Sequence, residues 1–160
     1  MDIELQQITM QNRGDVNTFI TEHWFTLQML VHGECIDLGT AEGWCAREGQ
    51  NIVGLITYRV LDKTLEILSL DSLRENSGIG SLLLNKVVSE AERRNCSRIM
   101  LITTNDNLNA LRFYQKRGFD MVKLYLDAVN EARKIKPEIP FLGDYDIPLK
   151  HEIELEKKLI

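Results

Sequence analysis

Apolar and polar positions alternate along much of the chain, and this alternation predicts most of its strands. Period-two alternation or short β-branched runs, bounded by turn residues, predict strands at 3–9, 43–48, 51–60, 64–70, 97–103 and 120–127. Apolar residues at three- to four-residue spacing predict helices at 16–25, 78–95, 107–117 and 128–135. The helix at 78–95 connects two strands, so we expect those strands to be parallel neighbours.

Other segments have weaker patterns. Residues 27–31 are apolar and predict a short helix, whereas residues 32–37 are polar, contain a glycine and predict a loop. All three prolines lie within 136–149, which predicts an extended loop because proline removes a hydrogen-bond donor. The apolar side chains of this loop predict that it packs on the body of the protein. The charged residues 151–159 predict at most a short helix, and Asp15 is expected to cap the first helix.

The length of 160 residues predicts one domain, 1–160, with residues 128–160 as an extension packed on it. An apolar content of 44% and a charged content of 27% are ordinary for a globular chain. No apolar run reaches the roughly 18 residues that cross a membrane, and the acidic first residues do not resemble a signal peptide. We therefore expect a cytoplasmic protein with no membrane partner.

Charge and cysteine content narrow the function classes further. The formal net charge is −5 and no long Lys/Arg cluster is present, which argues against nucleic acid as a partner because phosphate contacts need a basic surface. The cysteines are odd in number and lack the spacing of metal ligands; they are Cys35, Cys45 and Cys96. Free thiols and no bound metal are therefore expected.

A loop with two glycines follows the strand at 64–70 and leads into the helix at 78–95. Glycine permits positive φ and exposes the backbone, and the first turn of a helix has unpaired N–H groups at the positive end of its dipole. These groups predict a phosphate or pyrophosphate cradle. Its donors would be the amides of Asn76, Ser77, Gly78, Ile79, Gly80 and Ser81. Alone, the pattern is equally that of an ordinary tight turn.

Two other phosphate-binding motifs do not fit this loop. A P-loop requires Lys-Ser or Lys-Thr after its glycines, and neither pair follows here. A dinucleotide-binding fingerprint requires a third glycine, and this chain has Leu83 at that position.

A second pattern occupies residues 103–119, which read as a strand end, an Asn-rich cap, a helix and a terminating glycine. The two patterns in this order resemble motifs A and B of the GNAT superfamily of acyl-CoA-dependent N-acyltransferases. The resemblance rests on Gly78-x-Gly80 and Asn107-x-x-Ala110-x-x-x-Tyr114-x-x-x-Gly118-Phe119. The superfamily usually has Arg or Gln three residues before the first glycine, where this chain has Glu75. Glu75 is expected to point away from the ligand or to pair with Arg74.

The resemblance implies an α/β (α+β) fold. This fold is a single domain with a central mixed, mostly antiparallel twisted sheet that contains a splayed parallel strand pair and is flanked by helices. It also implies acetyl-CoA as cosubstrate, with the pyrophosphate on the glycine loop. The pantetheine arm would pair with the strand edge at Leu68, Ser69 and Leu70 and would contact Asn107 and Ala110. Proteins of this superfamily are often dimers, so a homodimer is also an expectation.

Acetyl transfer to an amine needs an acid, a base and an oxyanion donor. By resemblance Tyr114 is the acid for the leaving thiolate, since a phenol with a pKa of about 10 stays protonated at neutral pH. The preferred base is Glu66, which shares its parity along the strand with Leu68 and Leu70, and the second choice is Asp71 at the strand end. A backbone N–H near Leu70 would bind the thioester oxygen.

The sequence does not distinguish a small-molecule amine from a peptide amine as the acceptor. In this superfamily the N-terminal region helps to build the acceptor site, which makes candidates of Glu22, His23, His32, Glu34 and Asp37. The 136–149 loop would be a wall of that site or a dimer arm. A non-catalytic acyl-CoA-binding or sensing module is the alternative function. A nucleotide-binding regulatory domain is a third, and it needs only the glycine loop.

Overall fold

The structure is a computed structural model and describes residues 2–159. Its strands are β1 (Glu4–Gln7), β2 (Gln28–Val31), β3 (Glu34–Asp37), β4 (Glu42–Glu48), β5 (Asn51–Leu61), β6 (Thr64–Ser72), β7 (Arg98–Thr104), β8 (Asp120–Tyr125) and β9 (Glu152–Lys158). Its helices are α1 (Arg13–Trp24), α2 (Ile79–Arg93), α3 (Leu108–Gln115) and α4 (Ala128–Ile135). Short 3₁₀ turns occur at Leu38–Thr40 and Asp144–Asp146.

The strand order of the main sheet is β1-β4-β5-β6-β7-β9-β8, and β2 and β3 form a separate two-stranded sheet. Strands β6 and β7, which α2 connects, are the parallel pair of this mixed sheet. The predicted α/β fold class is confirmed. The chain divides into two compact units, one of residues 2–29, 36–99 and 159, and the other of residues 30–35 and 100–158.

The first unit is built on the antiparallel strands β1, β4, β5 and β6. Its fully buried side chains come mainly from these strands and from the apolar faces of α1 and α2, with Leu38 from a 3₁₀ turn and Ile99 from β7. The largest are Tyr58, Ile20, Leu38, Leu55, Ile56, Leu65, Ile79, Leu83, Ile99 and Val16. Helix α2 lies so close to β5 that a Cβ atom on Gly54 would be 2.6 Å from Cγ2 of Ile79. The apolar spacing that predicted α2 therefore marks the face that covers the sheet.

A β-bulge interrupts the pairing of β5 with β6. Tyr58 pairs with Ile67 and Thr57 pairs with Ser69, so Leu68 is an extra residue on β6. One extra residue reverses the alternation of side chains, because successive residues of a strand point to opposite faces. Glu66 therefore shares its face with Ser69 and Asp71, and the prediction that it shares a face with Leu70 is wrong.

The second unit contains β7 from Met100 onward, β8 and β9, with α3 and α4. Segment 136–149 packs within this unit. That it packs on the body of a single domain stays a prediction. Arg133 on α4 donates to the carbonyl oxygens of Pro140 and Leu149, at 2.6 Å each. Asp106, after β7, accepts from the backbone N–H of Asp144 at 2.8 Å.

Three predicted elements are wrong. Residues 27–31 and 151–159 were predicted to be short helices, and residues 32–37 were predicted to be a loop. The structure has strands β2, β3 and β9 in their place, with the turn of the first two at His32 and Gly33, both at positive φ. Strand β9 is rich in Glu and Lys, which favour helices, but it lies between β7 and β8 and buries Leu155 completely.

Helix α1 starts three residues earlier than predicted, and Asp15 does not cap it. Asn12 is the N-cap residue, and Asp15 lies in the first turn, where it pairs with Arg47 at 2.8 Å. An acidic group in the first turn is favourable because of the helix dipole. The prediction placed the cap one turn too late because Asn12 and Asp15 are both good capping residues.

Cys35 is exposed, Cys45 and Cys96 are buried, and all three are free. Within residues 2–159, none of the helices combines the length and the apolar character that crossing a bilayer requires. The same residues contain no group of three or more His, Cys, Asp or Glu side chains placed to hold a metal ion.

Candidate active site

The glycine loop forms where β6 ends and α2 begins. Asn76 has φ 57° and Gly78 has φ 82°, so the loop uses the left-handed region twice within three residues. Glycine adopts this conformation without strain, and asparagine is one of the few other residues that tolerate it. The Oγ atom of Ser77 donates to the carbonyl oxygen of Arg74 at 2.7 Å, which holds the turn together.

Helix α2 begins at a glycine, which has no side chain with which to cap it. Gly78 is the N-cap residue, the N–H of Ile79 donates to Oγ of Ser77 at 3.5 Å, and the N–H of Leu82 is the donor to the Gly78 carbonyl at 3.0 Å. The N–H groups of a first helical turn point out of the end of the helix, because they precede its regular ladder of hydrogen bonds. The site therefore has the features of an anion cradle, namely bare backbone and the positive end of a 15-residue helix.

Glu75 is exposed beside this loop, and Arg74 is not its partner. Arg74 instead forms a two-bonded ion pair with Glu48 at the end of β4. Of the two expectations for Glu75, pairing with Arg74 is therefore wrong. The pair lowers the pKa of Glu48, chiefly through the hydrogen bond from Arg74.

The bulge in β6 lies at the proposed pantetheine edge. Leu68 and Ser69 are buried and Leu70 is partly exposed. The Oγ atom of Ser69 is 2.6 Å from Oγ1 of Thr57 on β5, a buried contact that fixes the strand just after the bulge. A bulge leaves the extra residue outside the regular ladder, so its backbone groups are presented differently from those of a flat strand.

Glu66 has a partner that the sequence did not reveal. Its Oε1 atom accepts from Nε of Arg59 on β5 at 2.8 Å, and the residue is 8% exposed. A structural role as the counter-ion of Arg59 therefore explains why an acid occurs in this strand. Its role as general base stays a prediction.

Asp71 lies at the end of β6 on the same face as Ser69. Its Oδ2 atom accepts from the indole Nε1 of Trp24 at 3.1 Å. Burial raises the pKa of Asp71, while the hydrogen bond from Trp24 and the electrostatic influence of His23 lower it to a smaller extent. A carboxyl group with a raised pKa is suited to proton transfer near neutral pH.

Trp24 was missed as a site residue because it reads simply as an apolar position of α1. Its indole reaches Asp71 only because α1 ends there, with Phe25 in the left-handed region at φ 64°. No spacing in the sequence connects residues 24 and 71. The residue in this part of the sequence that did indicate a site was the neighbouring His23, which was predicted as an acceptor contact.

The second predicted motif forms α3 and its cap, in the second unit. The Oδ1 atom of Asn107 accepts from the N–H of Ala110 at 3.2 Å, and its Nδ2 atom donates to Oγ1 of Thr103 at 3.0 Å. Asn107 is therefore an N-cap, as the sequence predicted. Tyr114 is 4% exposed, and its ring packs edge-on against those of Phe113 and Phe119.

The acceptor candidates are divided between the two units. Glu22, His23 and Asp37 belong to the first unit, and Asp37 accepts from the N–H of Gly39 at 2.8 Å to cap a 3₁₀ turn. His32 and Glu34 belong to the second unit. In that unit the His32 ring lies 4.1 Å from that of Tyr125 and its Nδ1 atom 3.7 Å from Glu152.

The model of the acetyltransferase (GNAT) family matches residues 10–119, which is more than half of the chain. The protein therefore belongs to the GNAT acetyltransferase family. A curated relative, YxbD from Bacillus subtilis (strain 168), is 46% identical over 145 residues, which cover 90% of this chain and 91% of that protein.

Two solved structures have the same fold. The IAA acetyltransferase from Bacillus cereus ATCC 14579 superimposes with a TM-score of 0.71 at 18% identity and covers 99% of this chain and 100% of its own. A GNAT family acetyltransferase from Elizabethkingia anophelis with acetyl-CoA bound superimposes with a TM-score of 0.68 at 20% identity, covering 98% of each chain.

Proposed function

We propose that the protein transfers an acetyl group from acetyl-CoA to a primary amine by direct attack in a ternary complex. The observation that carries the proposal is the succession of a bulged strand β6, a left-handed glycine loop and a helix α2 whose N-cap residue is a glycine. Family membership supports acyl-CoA-dependent acetyl transfer, and the Elizabethkingia anophelis structure contains acetyl-CoA.

Binding groups can be proposed for two parts of acetyl-CoA, the pyrophosphate and the pantetheine arm. The backbone N–H groups of 76–81 would bind the pyrophosphate, because they combine bare backbone with the positive end of α2. The pantetheine amides would pair with the backbone of Leu68, Ser69 and Leu70, as an added strand does at a sheet edge. Asn107 and Ala110 at the start of α3 would contact the same arm by resemblance to the family.

The chemistry requires proton movements at two atoms. A neutral amine nitrogen attacks the thioester carbon, so a C–N bond forms and the C–S bond breaks. A backbone N–H near Leu70 would stabilise the charge that develops on the carbonyl oxygen. The O–H of Tyr114 would protonate the leaving sulfur, and the phenol would then regain a proton from the nitrogen.

Two measurements on the full-length protein test this function. Acetyl-CoA at about 100 times its Kd should stabilise the fold by about 2.7 kcal/mol and raise Tm by roughly 5–10 °C, whereas ADP should have little effect. A panel of primary amines should then release the CoA thiol in a colorimetric assay. A Tm shift without thiol release for any amine would identify a non-catalytic acyl-CoA-binding module instead.

Tyr114→Phe tests the proposed acid. Loss of the phenol O–H should lower kcat by about 100-fold or more and leave the acetyl-CoA Tm shift in place, since the ring is retained. Tyr145→Phe is the matched control, because Tyr145 is in the same unit and 64% exposed. Equal rates for both variants would remove Tyr114 from the mechanism.

A further inference from the structure

Asp71 and Trp24 form a polar contact at the point where β6 and α1 both end. The indole N–H engages one of the two oxygens of the Asp71 carboxylate. Trp24 is 40% exposed, so the face of its ring is open to solvent in part while its N–H is used. A half-buried carboxylate oriented by a partly exposed indole is an arrangement that can receive a cation.

The groups around Asp71 are mostly uncharged. Leu55 is opposite Asp71 on β5, Ser69 precedes it on the same face of β6, and His23 approaches from α1. Glu66 lies further along that face and is already paired with Arg59. An incoming ammonium group would therefore have to break an ion pair at Glu66, whereas at Asp71 it would meet a carboxylate held by the uncharged indole of Trp24.

The chain also presents apolar surface next to Trp24. Phe25, directly after Trp24, is 87% exposed. It is the C-cap of α1, with φ 64° and its N–H donating to the carbonyl oxygen of Thr21 at 2.8 Å, so the end of the helix carries two aromatic side chains that are open to solvent at least in part. Trp24 and Phe25 together could cover the carbon skeleton of an amine whose charge is at Asp71.

We propose that Asp71 binds the acceptor's ammonium group and takes its proton, that Trp24 positions Asp71, and that the acceptor is a primary amine carried on an apolar or aromatic group. This inference rests on the proposed acetyl transfer. It names Asp71 rather than Glu66 as the base, and it names the class of acceptor.

The proton balance is complete without any further reactant. The ammonium group gives one proton to the Asp71 carboxylate and becomes a neutral amine, which attacks the thioester. The second proton leaves the nitrogen as the amide forms and ends on the CoA thiol. Asp71 then releases its proton to solvent, so one amine and one acetyl-CoA give one amide, one thiol and one proton.

The test uses the full-length protein with β-phenylethylamine as an aromatic probe and ethanolamine as a polar one. We expect β-phenylethylamine to have the higher kcat/KM by about 10-fold or more, since burial of its ring adds apolar contact. Asp71→Asn should lower kcat/KM by about 100-fold or more. Asp62→Asn is the control that should behave as wild type, because Asp62 is exposed in the β5–β6 turn at φ 54°, which asparagine tolerates.

Trp24→Phe separates positioning from simple packing, because it removes the N–H and keeps an aromatic ring. The N–H lowers the pKa of Asp71, so its loss should move the acidic limb of the kcat/KM profile to higher pH. If Asp71 is the group that titrates, the acidic limb of the kcat/KM profile should still be present in His23→Gln. Binding is followed separately by fluorescence in a Trp44→Phe background, where Trp24 is the remaining tryptophan.

The outcomes separate this inference from the proposed function. Turnover of amines that is unchanged in Asp71→Asn, or a preference for ethanolamine, would overturn the inference while acetyl transfer stands. Quenching of Trp24 by β-phenylethylamine without thiol release from any amine would overturn acetyl transfer and the proton step. An Asp71-dependent drop in both quenching and kcat/KM is the result that supports the inference.

Discussion

A single extra residue determines which side chains of β6 act together. The bulge at Leu68 places Glu66, Ser69 and Asp71 on one face, where Thr57 and Arg59 of β5 hold the first two. Asp71 instead accepts a hydrogen bond from Trp24, the last residue of α1. Without the bulge, Ser69 and Asp71 would lie on the face opposite Glu66, since side chains alternate along a strand.

Asp71 should weaken the fold when it is ionised. Burial raises its folded-state pKa, so its contribution to stability is fully present below the unfolded pKa of about 3.9 and is lost as pH rises through the folded pKa. Asp71→Asn should therefore raise the free energy of unfolding at neutral pH, by roughly 0.5–2 kcal/mol, while it lowers activity. Urea unfolding at neutral pH and at about pH 3, below the unfolded pKa, would measure the difference.

The gain should disappear at the lower pH, where both side chains are neutral. Asp62→Asn should show no such pH-dependent gain, because Asp62 is exposed. A loss of stability at neutral pH in Asp71→Asn would mean that Asp71 is a structural residue and that its drop in activity reflects damage to the fold.

For individual residues, the sequence predicted local roles, such as a turn or a helix cap, better than it predicted tertiary contacts. The glycine loop, the Asn107 cap and the presence of acids on β6 were all readable, because backbone conformation and capping depend on local sequence. The Arg59–Glu66 and Trp24–Asp71 contacts depend on strand register and on where a helix ends. Neither leaves a periodic signal, and the bulge reversed the one parity argument that was available.

Among the elements, β9 shows most clearly how tertiary pairing overrides local preference. Its Glu and Lys residues favour a helix, yet the strand pairs with β8 from Glu152–Tyr125 to Glu156–Asp120. Leu155, opposite Met121, is fully buried. The predicted strands and helices elsewhere matched because their apolar periodicity and their burial agree.

Leu155 should be the residue on which β9 depends most. Leu155→Ala should lower the free energy of unfolding by about 2–5 kcal/mol, because a fully buried leucine leaves a cavity. Urea unfolding would measure the loss, and hydrogen exchange should show reduced protection of the β8 amides. The control is Leu124→Ala on β8, a residue that is 54% exposed and should cost no more than about 0.5 kcal/mol. Equal losses in the two variants would contradict the assigned burial.

For the whole molecule, the formal net charge of −5 should act oppositely on the two proposed substrates. A cationic amine is attracted and the anionic acetyl-CoA is repelled. When ionic strength rises from about 0.01 M to about 0.15 M, the Debye length falls from about 30 Å to about 8 Å. We expect kcat/KM for β-phenylethylamine to fall about twofold, and kcat/KM for acetyl-CoA to rise.

Steady-state kinetics with each substrate varied in turn would measure both changes. If ionic strength changes neither kcat/KM value, then local contacts, and not the net charge, govern how the protein meets its substrates. Homodimerisation and a cytoplasmic location stay predictions at this scale.

The position of β9 also constrains how the chain is made. Strands β7 and β8 are synthesised before it, yet it lies between them in the sheet. At a synthesis rate of roughly 5–20 residues per second, β8 waits about one to five seconds for its partner strand. Until β9 is available, both edges of β8 are unpaired. A released chain that ends before residues 152–158 would therefore leave β8 without its partner strand, with its apolar Met121, Val122 and Leu124 open to other chains.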